Sequence, residues 1–190
     1  MTNKMFYGKK SGTSRFEVPT KLNIENISQI SCGGLHTLLL SADKQTVWAF
    51  GENYYGQLGH DPELGFADTP IKVPFLGEKI IVKLQCQRSD SAVLLADGEI
   101  RVWGQTWGRN SPRSINIGQV VDISMGCDFM LALTAENRLY AFGANEYGQC
   151  GQGMTSDFIE DPVEVKNLDN LHIKQISAGM EHCLIKCVKL

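Results

Sequence analysis

The chain has 190 residues, 43% of them hydrophobic and 21% charged, with a formal net charge of −3, long enough for one domain with a substantial core. That balance excludes whole-molecule attraction to nucleic acid or to an acidic membrane, whose partners carry clustered excess Lys and Arg. The opening MTNKMFYGKK holds no apolar stretch of signal-peptide length, and no run approaches the roughly 20 apolar residues that cross a bilayer, so no membrane contact and a cytoplasmic or nuclear location are expected.

In chain order, the start is locally basic, with Lys4, Lys9, Lys10, Arg15 and Lys21 against Glu17. It reads as solvated surface, and neither nucleic acid nor chromatin is expected as a partner. Within it, Met5 to Gly8 and Pro19 to Leu22 read as two short strands. Next come IENISQISC, HTLLLS, a polar turn at ADKQT, VWAF, the glycine-rich loop GENYYGQLG and TPIKVPF. No 3.6-residue stripe of helical length occurs, and Ile, Val, Thr and aromatics broken by Asp, Gly, Asn and Pro predict strands throughout.

The same order then returns. Extended runs anchored on Ile30, Leu84, Ile123 and Ile176 lie 54, 39 and 53 residues apart, and GENYYGQLG at Gly51 to Gly59 comes back as GANEYGQCG at Gly143 to Gly151. From each of the first three anchors to an aromatic followed by glycine (Phe50-Gly51, Trp103-Gly104, Phe142-Gly143) the distance is 20, 19 and 19 residues. From the aromatic to a proline (Pro70, Pro112, Pro162) it is 20, 9 and 20, so the middle copy is short by one loop deletion. A fixed frame with one variable loop marks structural repeats, and four short strands in about 50 residues describe a propeller blade.

The predicted fold is an all-β, β-propeller-type repeat forming a single domain over 1–190. Its units run over approximately 1–26 (half), 27–80, 81–119, 120–172 and 173–190 (half), which makes about four blades with complementary halves at the two ends. Gly51, Gly56 and Gly59, repeated as Gly143, Gly148 and Gly151, punctuate a loop that turns tightly over the blade edge. The aromatic position, Tyr7, Phe50, Trp103 and Phe142, is expected to fill the space between neighbouring sheets, with Gly104 following it in the middle copy. Tyr55 and Tyr147 are expected to lie down on the blade.

Little points to covalent chemistry. Cys32, Cys86, Cys127, Cys150 and Cys183 fall on repeat positions held elsewhere by Gly, Ala, Leu, Met or Thr, which marks them as fillers of small spaces, Cys187 shares a strand face with Cys183, and no CxxC pair occurs. Gly51 to Gly56 and Gly143 to Gly148 imitate half of a phosphate loop, but Gln57-Leu58 and Gln149-Cys150 stand where Lys and Ser or Thr belong. None of His36, His60, His172 and His182 sits in an HExxH or nucleophile-elbow sequence. No catalytic residue, metal or cofactor is assigned.

The combination of GGLHTLLL, VWAFG and GENYYGQLG resembles the repeats of the regulator of chromosome condensation (RCC1) family, from about Phe6 to the C-terminus. Ser31 to Gly59 and Ser124 to Gly151 carry most of the signature. The middle copy departs from it, since GQTWGRNSP lacks the GQLG portion and Gln87-Arg88-Ser89-Asp90 replaces Gly-Gly-Leu-His. Because members of that family form seven blades, the resemblance leaves two architectures, a closed small propeller or an incomplete arc of a seven-bladed ring. The arc is favoured, because the angle between such blades suits a larger ring and leaves raw strand edges at its ends.

One loop position differs among the copies while its flanks stay fixed: Gly34-Leu35-His36, Arg88-Ser89-Asp90, Cys127-Asp128-Phe129 and Met180-Glu181-His182. Equivalent loops of a propeller converge, so His36, Asp90, Phe129 and His182, with Leu35, Asp128 and Glu181, are expected near a common mouth that a protein partner can grip. The competing account has His36 and His182 bonding a neighbouring backbone group and holding the turn. The reading adopted is a non-enzymatic protein-interaction module. The resemblance also implies guanine-nucleotide exchange on a small Ran-like or Rab-like GTPase, or a part in a larger protein such as a ubiquitin ligase that carries similar repeats. An open ring would in addition allow self-association.

Overall fold

The computed structural model describes residues 5–7, 20–153 and 155–189. Lys4, Lys9, Lys10 and Arg15 of the basic start, with Gly8 and Pro19, lie outside the described residues. Strands β1 (Met5–Tyr7) and β2 (Thr20–Leu22) form a two-stranded antiparallel sheet. The first complete sheet joins β3 (Ile27–Cys32), β4 (His36–Ser41), β5 (Val47–Glu52) and β6 (Phe66–Lys72) in sequence order. The second joins β7 (Ile81–Gln87), β8 (Asp90–Leu95), β9 (Ile100–Gly104) and β10 (Gly108–Ile115), and the third β11 (Val120–Met125), β12 (Phe129–Thr134), β13 (Leu139–Asn145) and β14 (Ser156–Glu164). Strands β15 (Leu171–Ala178) and β16 (Cys183–Lys189) close the order as a second two-stranded sheet.

Every sheet is an antiparallel meander in one register. Leu38 faces Ala49 across β4 and β5 as Ala92 faces Val102 and Leu131 faces Ala141 in the next two sheets. The predicted propeller-type repeat forms. Among the described residues the two half-sheets do not pair with each other, so the three whole blades and two halves form an arc.

Between neighbouring sheets lie three apolar cores of one design. Leu38, Leu40 and Ala49 meet Leu84, Val93 and Trp103; Ala92, Leu94 and Val102 meet Ile123, Met130 and Phe142; Leu131, Leu133 and Ala141 meet Ile173, Ile176 and the inward face of β16. Trp103 and Phe142 are fully buried in these cores, as their repeat position predicted, while Phe50 is half-buried against Leu22, Ile27 and Leu39. Leu58 and Cys150, from the two full glycine loops, plug the first and third cores. In the trimmed middle copy Trp107 takes that place, edge-on to Phe142 at 5.2 Å between ring centres. One indole replaces what the deleted loop would have supplied.

The first strands of adjacent sheets lie side by side without pairing as a ladder, and side chains satisfy their facing backbone groups. Ser31 Oγ accepts from Cys86 N at 2.8 Å, Gln85 Oε1 from Met125 N at 3.5 Å and Ser124 Oγ from Ala178 N at 2.9 Å. The Gln29 amide donates to Val82 O at 2.8 Å and accepts from Leu84 N at 3.2 Å. Every hook reaches forward along the chain. The residue after each of the first three anchors is therefore fixed by the next blade as much as by its own.

The loop residues show where Gly, Asn and Gln are required. Gly51, Gly104 and Gly143 adopt φ of 110°, 119° and 108°, and a Cβ on any of them would sit 2.3 Å from the carbonyl oxygen of Leu35, Ser89 or Asp128. Asn53 and Asn145 are buried and accept from Leu58 N and Cys150 N, each at 3.0 Å, while Gln57 and Gln149 accept from Tyr55 N and Tyr147 N, each at 3.0 Å. These side chains build the loop from within. The expectation for Tyr147 fails, since it is 66% exposed, whereas Tyr55 is half-buried. All six cysteines are free thiols, and burial pushes those of Cys86 and Cys150 up to about 12, far from a reactive thiolate.

Candidate interaction face

The hairpins joining the first two strands of each unit converge on one face, held together in a row. Gly34 N donates to Arg88 O at 2.8 Å; the Arg88 guanidinium reaches Asp128 Oδ2 at 2.7 Å; Cys127 N donates to Met180 O at 3.1 Å. Leu35, Arg88, Met180, Glu181 and His182 are exposed along this row, and Asp128 is half-buried. The row carries mixed charge between two large apolar side chains, Leu35 at 66% and Met180 at 64% exposure.

Three of the residues expected on the rim lie beneath it: His36, Asp90 and Phe129 are 3%, 1% and 0% exposed. The reason is local. Three of the four hairpins open on a glycine packed against the ring three positions on, and a Cβ at Gly33, Gly126 or Gly179 would fall within 2.4 Å of the ring of His36, Phe129 or His182. The ring folds back over its own turn. The next sheet then meets His36 through Ser91 and Phe129 through Ile173 and Ile176, whereas His182 has no following sheet among the described residues and is exposed.

His36 is tied across the blade boundary. Ser91 Oγ donates to Gln57 O at 2.8 Å, so the His36 ring must donate from Nε2 to Ser91 Oγ, also at 2.8 Å, and Nδ1 stays unprotonated, buried and without a partner. Burial pushes the imidazole down to about 4, consistent with that neutral tautomer. The neighbouring blade meets the ring with the Ser91 hydroxyl and, as the sequence account expected, with backbone groups, those of Asp90 and Arg88, which oppose the effect of burial. Trp103 Nε1 adds a second donor to Gln57 O at 3.0 Å, so one carbonyl of the glycine loop anchors the next sheet twice.

Asp90 supports the rim from below. Its carboxylate accepts from Thr106 N at 2.9 Å and Thr106 Oγ1 at 2.7 Å, and the same hydroxyl lies 3.0 Å from Asp128 Oδ1. Burial pushes Asp90 up to about 6. Arg88, Thr106, Asp128 and Asp90 thus form one polar chain bracing the middle and third hairpins. Sequence reasoning passed over Arg88 and Thr106. The available signal was that Arg88 is the charged member of a position otherwise held by Gly34, Cys127 and Met180. Among the described residues no group of His, Cys, Asp and Glu is arranged to hold a metal ion.

The model of the regulator of chromosome condensation (RCC1) repeat matches residues 45–94 and 136–185, and a second model of that description matches 27–57 and 120–149. The chain belongs to the RCC1 repeat family. Each longer RCC1 match runs from the third strand of one sheet into the second strand of the next, so the sequence repeat straddles two blades. Among curated RCC1 relatives, the human "Probable E3 ubiquitin-protein ligase HERC3" is 30% identical over 177 residues, covering 86% of this chain and 17% of that protein. The zebrafish (Danio rerio) "Protein RCC2 homolog" is 30% identical over 149 residues, covering 69% and 30%. The chain thus spans less than a third of the length of these relatives. Among solved structures, Prp20p of Saccharomyces cerevisiae superposes with a TM-score of 0.79 at 19% identity, over 90% of this chain and 46% of that one. Human WBSCR16 superposes at 0.78 with 24% identity, over 95% and 52%. Both likenesses are of fold.

Proposed function

We propose that this chain is a non-enzymatic protein-interaction module that uses the hairpin face of its arc. The observation that carries the reading is the row Gly34, Arg88, Asp128, Cys127 and Met180, in which hydrogen bonds lock four hairpins into one surface. A surface fixed in advance binds without spending free energy on ordering its loops. The exposed apolar pair Leu35 and Met180 supplies anchors, and Arg88, Glu181 and His182 supply a polar rim. The test is capture of partners by the native chain and by a Leu35→Asp, Met180→Asp double variant, whose substitutions fall on exposed positions. A partner retained by the first and lost by the second supports the reading; an unchanged set of partners removes it.

A second reading is favoured by the likeness to Prp20p, a protein characterised through its binding to Gsp1p and histones. It assigns the same face to a small GTPase, with exchange driven by preference for the nucleotide-free state. It also brings back histones as a partner class that net charge alone had set aside. Release of fluorescent GDP from a panel of small GTPases tests exchange, and salt-dependent binding to purified histones tests the other branch. No acceleration and no binding dismiss both. Ubiquitin-ligase function in the relatives of that name gives a third context, in which this chain would be the part that selects partners.

A further inference from the structure

The middle blade departs from its neighbours at two positions that touch each other. Asp90 stands where the other copies have the rings of His36, Phe129 and His182, and Thr106 stands where the two full glycine loops have Asn53 and Asn145. Gly104 makes room for the carboxyl group, because a Cβ there would sit 2.7 Å from Asp90 Oδ1. That oxygen accepts from Thr106 N at 2.9 Å. The other, Oδ2, faces Thr106 Oγ1 at 2.7 Å, and the same hydroxyl faces Asp128 Oδ1 at 3.0 Å.

A hydroxyl has one proton to give. With both carboxyl groups ionised, Thr106 serves Asp90 or Asp128 and turns a lone pair on the other. One added proton removes the conflict. Held on Asp90 Oδ2, it is donated to Thr106 Oγ1, which donates in turn to Asp128 Oδ1, while Asp128 Oδ2 accepts from the Arg88 guanidinium at 2.7 Å. The proton belongs on Asp90, which is 1% exposed and hydrogen-bonded to no cation among the described residues. Asp128 is the more exposed of the two and is ion-paired.

We propose that Asp90, Thr106, Asp128 and Arg88 form a proton-operated brace of the hairpin face: the acid form of Asp90 locks Arg88 in place through Thr106 and Asp128, and its ionised form draws the Thr106 hydroxyl to itself and releases them. Among the described residues, the titratable and charged groups around Asp90 are Asp128 and Cys127 from the third hairpin, Arg88 from its own, and His36, whose ring meets the backbone of Asp90 and Arg88. Burial, with the Asp128 charge added, pushes Asp90 up to about 6 against the Thr106 hydrogen bonds and Arg88. Burial and the Asp128 charge also push the Cys127 thiol up, and His36 is pushed down to about 4, so neither changes charge where Asp90 does. The rim is therefore fixed below about pH 6 and loosened above it. The consequence for binding rests on this face being the interaction surface. A partner that grips the braced Arg88 binds more weakly as pH rises past the Asp90 value, by up to about tenfold per pH unit.

The test is nuclear magnetic resonance of the purified chain from about pH 5 to about pH 7.5, with thermal melting as the check on folding. It follows the Asp90 carboxyl carbon, identified by its absence from Asp90→Asn, and the order of the Arg88 Nε–H bond on the picosecond-to-nanosecond scale. In the native chain the carboxyl signal is expected to move with a midpoint near 6, and Arg88 to be ordered at the acid end and mobile at the other. Asp90→Asn keeps Arg88 ordered throughout, because its amide donates to Thr106 as the acid does. Thr106→Val, which removes the hydroxyl with little change of shape, leaves Arg88 mobile throughout, and Thr106→Ser restores the native change. A midpoint below about pH 5, an Arg88 equally ordered at both ends of the range in the native chain, or a Thr106→Val variant that behaves as native overturns the proposal. Should Thr106→Val fail to fold, the contrast between the native chain and Asp90→Asn decides it alone. No partner enters these measurements, so their failure is distinct from failure of the interaction reading, which the capture experiment decides.

Discussion

Strands β12 and β16 hold the same place in the repeat and have different fates. All six residues of β12 are buried, on both faces, while β16 alternates between half-buried and exposed. The inward positions of β16, Cys183, Ile185 and Cys187, pack on the third core as their counterparts do. The outward positions meet no blade. Burial here is conferred by the neighbour, and a blade's stability is largely the sum of its two boundaries.

The largest effect expected from that comparison is at Leu131 and Leu184. Leu131→Ala should cost about 2 to 5 kcal/mol, as truncation in a close-packed core does. Leu184→Ala, at a 71% exposed position, should change stability by less than about 0.5 kcal/mol. Urea denaturation of both variants decides it, and equal losses would break the comparison.

Next in size is a pair of opposed pH effects, one at the first boundary and one at the second. The His36 pKa is lowered from 6.5 to about 4, so its contribution is present above pH 6.5 and is lost as pH falls through the folded value. The Asp90 pKa is raised from 3.8 to about 6, so its contribution is full below pH 3.8 and is lost as pH rises through the folded value. Between pH 4 and 6 the two slopes oppose, each worth up to about 3 kcal/mol. Asp90→Asn should therefore expose a steep loss of stability on acidification from pH 6.5 to 4, which His36→Gln added to it abolishes. Denaturation midpoints at several pH values follow this, and an unchanged profile in Asp90→Asn would refute the assignment.

Smaller again is the contrast between Ser124 and Ser177. Ser124→Ala leaves Ala178 N unsatisfied and should cost about 1 to 2 kcal/mol. Ser177→Ala, at an exposed position, should be silent. Smallest is Tyr147→Ala, expected within about 0.5 kcal/mol because its ring stands in solvent. Thermal melts measure all three.

The fold was legible because period and punctuation survive in three copies: anchor, aromatic and glycine recur at nearly constant distance, and the strands form there. The half-sheets at the ends were legible for the same reason, from the phase of the repeat alone. Depth at the hairpins was not. Whether His36, Asp90 and Phe129 stand on the rim or under it depends on each ring folding back over its turn and on cover from the next blade, which spacing along one chain does not encode. Trp107 was missed as the substitute for Leu58 because it arrives from a loop of different length and reaches the core from another place in the sequence. The Asn53 and Gln57 roles were hidden for a simpler reason: two polar residues in a glycine loop look like surface until the loop closes around them.

The hooks on the first strands of the blades all reach toward the sheet that comes later, which gives the stack a direction. A chain leaving the ribosome makes each docking surface before the sheet that will occupy it. Ser31 and Gln29 can stand ready while Val82 to Cys86 is still being synthesised, so assembly in the order of translation never asks a finished strand to wait for an acceptor behind it.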